Sequence, residues 1–328
     1  MIRIAALLLA LVALPAPAAV TVTDWIVPWP DTRPRDPDLA PDGSVWFVGQ
    51  VGNYLARLDP ATGAFERIDL PEGTKPHNLI VDAEGRVWYA GNGNALIGRY
   101  DPATKQFATY PMPDPAAKDP HTLVFDGKGG IWFTAQRSNF IGRLDMADGS
   151  ITLLPVASAS SAPYGIVADP AGNAWAVLFA TDRLATIDAA KPAVREVALP
   201  RADARARRLA LTRDGRVWYG DFATGRIGVH DPKAGTFEEW PLPSGKPGVY
   251  AMAVDDRDRV WVVESGVQPN RLVAFDTKSE RVVEDVPVDA GTVRHMVFHA
   301  PTRTLWFGTD KGRIVRVALD AAAPAPGG

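Results

Sequence analysis

Cysteine is absent from all 328 residues. That absence excludes disulfides, thiolate catalysis and cysteine-based metal sites. Stability must come from an apolar core, for which 46% hydrophobic residues are ample. A dominant charge of one sign is also missing. The formal net charge of −3 leaves no electrostatic footprint for nucleic acid. Long apolar runs are confined to the N-terminus, where MIRIAALLLALVALPAPAAV combines Arg3, an apolar stretch over residues 4–14 and a small-x-small Ala16-Pro17-Ala18. This is the pattern of a cleaved signal peptide, expected over residues 1–18. No other stretch approaches the roughly 20 apolar residues of a membrane helix. The mature chain is therefore expected to be secreted or periplasmic, without a membrane span. Residues 321–328, rich in Ala, Pro and Gly, read as a disordered tail.

Tryptophan is what the chain does have, and its spacing decides the architecture. Trp46, Trp88, Trp132, Trp175, Trp218, Trp261 and Trp306 are separated by 42, 44, 43, 43, 43 and 45 residues. Most follow a turn, as in PDGSVWF, AEGRVWY, GKGGIWF and RDGRVWY. A period of about 40 to 45 residues made of short strands is the mark of propeller blades. Each unit resolves into four strands; in the third they are HTLVFD, IWFTA, FIGRLD and ITLLPV. Asp-Pro and Asp-Gly pairs supply the turns between them. Only six fourth strands fall inside the repeats, and residues 22–28, VTDWIVP, resemble the missing one. The sequence thus predicts an all-β, seven-bladed β-propeller over residues 19–320. Its N-terminal strand completes the last blade, so no sheet edge stays open.

In such a ring the first strand of each blade lines the central channel, and the segments leading into those strands converge on one face. Around the ring these lead-ins are Thr74-Lys75-Pro76-His77, Asp119-Pro120-His121, Pro163-Tyr164-Gly165, Arg207-Arg208, Gly248-Val249-Tyr250 and Val293-Arg294-His295. Arg35-Asp36-Pro37-Asp38 is the less alignable first member. Three of the five histidines share this one repeat position. His230 and His299 read as structural, and the basic run over residues 201–208 as a solvated rim. Equivalent atoms on neighbouring blades should lie within roughly 6 to 10 Å, close enough for His77, His121 and Tyr164 to share one ligand. The plainer reading is that these side chains bond neighbouring loops and channel water.

With the phrases Ile131-Trp132-Phe133-Thr134 and Ile141-Gly142-Arg143, these lead-ins resemble the streptogramin B lyase family over all seven blades. The family's site uses a Pro-His, an acidic residue-Pro-His and a Pro-Tyr-Gly on successive blades. Here Lys75-Pro76-His77, Asp119-Pro120-His121 and Pro163-Tyr164-Gly165 keep that order, on blades two to four rather than across the chain ends. Asp119 stands where the family has Glu, and the position after the tryptophan phrase is Ala135, followed by Gln136. The resemblance implies a carbon–oxygen lyase that opens a cyclic depsipeptide by elimination. His121 would be the general base and His77 and Tyr164 would bind substrate, while Asp119 with Gln136 would hold Mg²⁺. Two other readings stand beside it. One is a non-catalytic propeller binding a peptide, glycan or protein partner on the same face. The other is a metal-dependent lactonase drawing on Asn92, Gln136, Asp221 and Glu264. A closed ring is expected to be a monomer.

Overall fold

The computed structural model describes residues 20–319. The expected signal peptide and C-terminal tail lie outside the described residues. Within them the chain forms seven antiparallel four-stranded sheets. The only helical piece among the described residues is a short turn at Ala300–Thr302. None of their helices is long and apolar enough to cross a membrane.

The third blade illustrates how well the repeat predicts its strands. Pro120–Phe125, Gly130–Ala135, Phe140–Asp145 and Ile151–Pro155 differ from the sequence expectation by no more than a residue at either end. The seventh blade is closed by the chain's beginning, as expected. Thr21–Ile26 pairs with Arg313–Ala318 and lies outermost in the sheet that also holds Thr304–Gly308 and Met296–His299. Trp25 stacks on Trp306 at 5.5 Å across this seam. The N-terminal strand thus buries an aromatic face against the last blade as well as completing its ladder.

The repeat tryptophans are the packing wedges between blades. Trp46, Trp88, Trp132, Trp218 and Trp261 are almost wholly buried. Each indole N–H needs a partner once buried. Trp88 donates to Asp82 Oδ2 at 2.9 Å and Trp261 to Asp255 Oδ2 at 2.9 Å, while Trp132 reaches the Gly172 carbonyl of the next blade at 2.9 Å.

The glycine that recurs after isoleucine in the third strands, as in Ile97-Gly98-Arg99 and Ile227-Gly228-Val229, has an equally concrete cause. Phe133 lies opposite Gly142 in the ladder, Tyr89 opposite Gly98 and Tyr219 opposite Gly228. In each pair the ring covers the glycine, so that an added Cβ would overlap it. Gly142→Ala is therefore expected to destabilise the protein by about 1–3 kcal/mol through overpacking. Denaturant unfolding would measure this as a lower midpoint at unchanged slope.

His230 and His299, read as structural from the sequence, each make local contacts. His230 stacks on Phe237 at 4.3 Å and bonds the Thr236 carbonyl. It lies within the strand Arg226–Asp231. His299 bonds Thr302 Oγ1 at 2.7 Å beside the short helical turn.

Candidate active site

The innermost strands are not regular where they enter the channel. In the first six blades the pairing with the second strand slips, between Arg35/Asp38, Pro76/Leu79, Pro120/Leu123, Pro163/Ile166, Ala206/Arg208 and Val249/Met252. Asp36, His77, His121, Tyr164, Arg207 and Tyr250 all fall inside these slips. A bulge breaks the in–out alternation and re-aims a side chain. Here it turns polar residues into a channel that strict alternation would have lined with apolar ones.

The three residues expected to act together do meet. The rings of His77 and His121 lie 3.5 Å apart, and His121 and Tyr164 lie 4.1 Å apart. This is tighter than seven-fold spacing alone suggests, because the bulges project the side chains inward. His77 Nδ1 lies 3.1 Å from the His121 carbonyl, the geometry of an N–H donating to it. His121 Nδ1 pairs with Thr122 Oγ1 at 2.9 Å, while its Nε2 is buried without a hydrogen-bond partner. Tyr164 and Tyr250 share a hydrogen bond between their hydroxyls.

Charge surrounds this row. Burial opposes ionisation of Asp36, yet Arg35, His295 and Arg208 outweigh it and hold the carboxyl well below the usual range. Asp36 accepts from Arg35 Nε at 2.9 Å and from Asn78 Nδ2 at 3.0 Å, with Arg208 3.6 Å away. Asn78 Oδ1 in turn accepts the Leu123 N–H at 2.8 Å, which ties the first three blades together across the channel. Burial, Arg208 and Arg35 depress the His121 imidazole well below its ordinary value. Burial, Arg35 and His121 do the same to His77. Burial and Arg208 take His295 down to about 4. All three imidazoles are therefore neutral near pH 7. Burial disfavours the Tyr164 phenolate, but Arg207, Arg35 and Arg208 prevail and lower its pKa.

Arg207 and Arg208 correct the expectation of a solvated rim. The Arg207 guanidinium lies 3.9 Å from the Tyr250 ring centroid, 4.4 Å from Phe222, 4.6 Å from Phe179 and 4.9 Å from Tyr164. Its Nε is buried and unpartnered. Arg208 is buried in the channel, donating to the Arg294 carbonyl at 3.0 Å and to Thr122 Oγ1 at 3.3 Å. Charged residues this deep need partners, and aromatic faces provide them for Arg207. Arg35 and Asp36 are the members that sequence reasoning nearly missed. Pro34, at the same distance before its tryptophan as Pro76 is before Trp88, was the usable signal.

Asp119 does not join the row. Its carboxylate accepts the Arg137 N–H at 2.6 Å and both the Ser138 N–H at 3.1 Å and the Ser138 hydroxyl at 2.5 Å. It clasps the loop that contains Gln136. Asp221 and Glu264 do the same elsewhere, Asp221 for the Arg205 N–H at 3.0 Å and Glu264 for the Ser244 N–H at 3.1 Å. Asn92 donates to the Pro120 carbonyl. Among the described residues no group of three or more His, Cys, Asp or Glu side chains is placed to hold a metal ion. Three of the roughly four lone-pair positions on Asp119 are used, and its surroundings include Arg33, Lys75, Lys118 and Arg137. Such a donor set does not fit Mg²⁺, which demands open oxygen ligands in near-octahedral array.

The sequence matches the Virginiamycin B lyase family over residues 18–272. No curated protein matches it. A solved streptogramin B lyase superposes with a TM-score of 0.82 at 23% identity, covering 92% of this chain and 98% of that one. A catalytically inactive histidine-to-alanine variant of virginiamycin B lyase from Staphylococcus aureus, with quinupristin, gives 0.82 at 21% identity over 92% and 100%. YCF48 bound to a D1 peptide gives 0.72 at 16% identity over 94% and 99%. At these identities the likeness is one of fold.

Proposed function

This chain belongs to the virginiamycin B lyase family, and from that premise we propose that it is a carbon–oxygen lyase acting by elimination at the channel mouth. The observation that carries the reading is the row His77–His121–Tyr164, with a neutral His121 whose Nε2 is buried and unpartnered. With Nδ1–H donating to Thr122, the Nε2 lone pair is free to take a proton alpha to a carbonyl. The C–H electron pair then forms the double bond, the bond from the beta carbon to the ester oxygen breaks, and the carboxylate leaves with that pair. Negative charge develops on the carbonyl oxygen as the proton departs. Arg207 Nε, Arg208 Nη2 and Arg35 Nη2 are buried donors without hydrogen-bond partners, Arg208 Nη2 lying 3.6 Å from Asp36, and they supply the preorganised positive charge that such an oxyanion requires. Tyr164, acidified by the same cations, orients the carbonyl through its hydroxyl, and the proton taken by His121 passes to solvent once the ring-opened product leaves. His77 holds the His121 segment through its bond to the carbonyl.

Product analysis tests this on a cyclic depsipeptide of the streptogramin B type. Elimination yields a ring-opened product with the mass of the substrate, whereas hydrolysis yields one heavier by a water. A chelator arm belongs to the same experiment, since the arginines rather than a metal carry the charge. Dialysis against EDTA is expected to leave the rate within about twofold. A loss restored by Mg²⁺ would return the metal to the reaction, and a hydrolysed product would exclude elimination.

The burial of the row favours a second reading. His121 is 1% exposed, Tyr164 3% and Arg208 3%, as in a polar plug that stiffens the channel while the outer rim binds a peptide, glycan or protein. Its mark would be ligand binding with no turnover of any ester.

A further inference from the structure

Beside the row, the loops of the first three blades enclose a second cavity of about 820 Å³. Its walls carry the cations Arg33, Lys75, Lys118 and Arg137. All four side chains are exposed. None of them lies within 4.0 Å of a carboxylate among the described residues. Elsewhere Arg57 pairs with Asp42, Arg143 with Asp126 and Arg259 with Asp255; what sets these four cations apart is that they share one concavity. The one carboxylate in the wall, Asp119, is already engaged by the Arg137 and Ser138 loop. A protein of net charge −3 thus gathers four cations against a single carboxylate around one concavity, and their fields add there.

The cavity is also joined to the row. Gln50 stands in its wall and accepts a hydrogen bond from the buried Arg35 at 3.1 Å. Lys75 lies two residues before His77, and Asp119 two before His121. Whatever fills the cavity therefore has its end at the mouth of the channel. We propose that this basin binds a short oligoanion, a ligand whose carboxylate or phosphate groups repeat along a chain, and that it is the substrate-recognition subsite of the neighbouring row. The substrate-recognition half rests on the lyase reading, whereas the binding half does not. Guanidinium forks and lysine ammonium groups recognise such oxygens directly, and a cavity of this size suits a ligand of a few residues.

Binding of α-1,4-linked trigalacturonate and of inorganic tripolyphosphate to the full chain, followed by calorimetry, tests the inference without requiring turnover. Maltotriose is the uncharged control. At least one anionic probe is expected to bind, and which one binds identifies the anionic group. Affinity should fall at least about tenfold in Lys75→Glu/Arg137→Glu and weaken steeply as salt rises from about 0.05 to about 0.5 M. Lys278→Glu, in the turn after the third strand of the sixth blade, should leave affinity unchanged. The proposal is overturned if neither anion binds, if maltotriose binds as well, or if both variants lose affinity equally. Binding by the basin without elimination would sink the lyase reading alone. Elimination of a neutral depsipeptide with no anion binding would sink the basin alone.

Discussion

Replacing His121 with alanine is expected to lower kcat/KM for ring opening by about 10²- to 10⁴-fold, the contribution of a positioned general base. The expectation follows from the site's geometry. His121 is the central ring of the row, its Nδ1 is occupied by Thr122, and its Nε2 has no protein partner. His77 also keeps an Nε2 lone pair when its Nδ1 donates to the His121 carbonyl, so His77→Ala is the companion variant that assigns the base to one ring. His121→Asn keeps a polar side chain in the same space and should be as inactive, which separates lost chemistry from lost packing. His230→Ala, on a ring stacked against Phe237, should retain the rate. The pH profile supplies an independent sign. Burial, Arg208 and Arg35 depress the imidazole well below 6.5, so the base is unprotonated at neutrality. Activity should therefore hold as pH falls through 6.5 and be lost only on further acidification. An acid limb at or above 6.5, or wild-type turnover in His121→Ala, would remove His121 as the base.

The second large effect concerns stability. Asp36→Asn is expected to cost on the order of 3–5 kcal/mol, because it strips the charge from a buried ion pair while leaving its partners in place. Arg35, Arg208 and His295 all face this one carboxylate. Both of its oxygens are used, one by Arg35 Nε and the other by Asn78 Nδ2. In the variant an amide N–H₂ must point at one of two donors, leaving buried cations without compensation. The Asn78 link to the Leu123 N–H would loosen with it, so that the first three blades lose a shared anchor. Denaturant unfolding monitored by tryptophan fluorescence would read the change. A loss below about 1 kcal/mol, typical of an exposed pair, would show that Asp36 does not organise the channel.

Much of the architecture was legible because it repeats. A wedge that must fill the same gap between blades has to recur at the same interval, so Trp88, Trp132 and Trp218 announce the fold directly. The glycine of the Ile-Gly-Arg phrase was legible as a pattern, but its reason was not, since the ring of Phe133 over Gly142 is a cross-strand relation. The site was legible in part. His77, His121 and Tyr164 were found because Pro-His, Pro-His and Pro-Tyr occupy one repeat position. Asp119 also sat in that pattern, and the fold turned it toward Ser138 because its carboxylate has two loop N–H groups to satisfy there.

The sequence by itself determined the ring: seven repeats, four strands in each, and an N-terminal strand that returns to close the last blade. Local periodicity and turn chemistry suffice for that, since every blade solves the same packing problem with its neighbour. Only the tertiary structure decided which polar residues share the channel. Arg207 and Arg208 look like surface charge in one dimension, as most arginines are. The fold makes them channel residues through a bulge in one strand and an aromatic box for Arg207 drawn from four other strands and loops. Asp36 likewise finds, besides the adjacent Arg35, charge partners in Arg208 and His295, separated from it by more than half the chain. Electrostatic compensation between distant segments leaves no period to read, because each cation needs only one suitable partner somewhere in space.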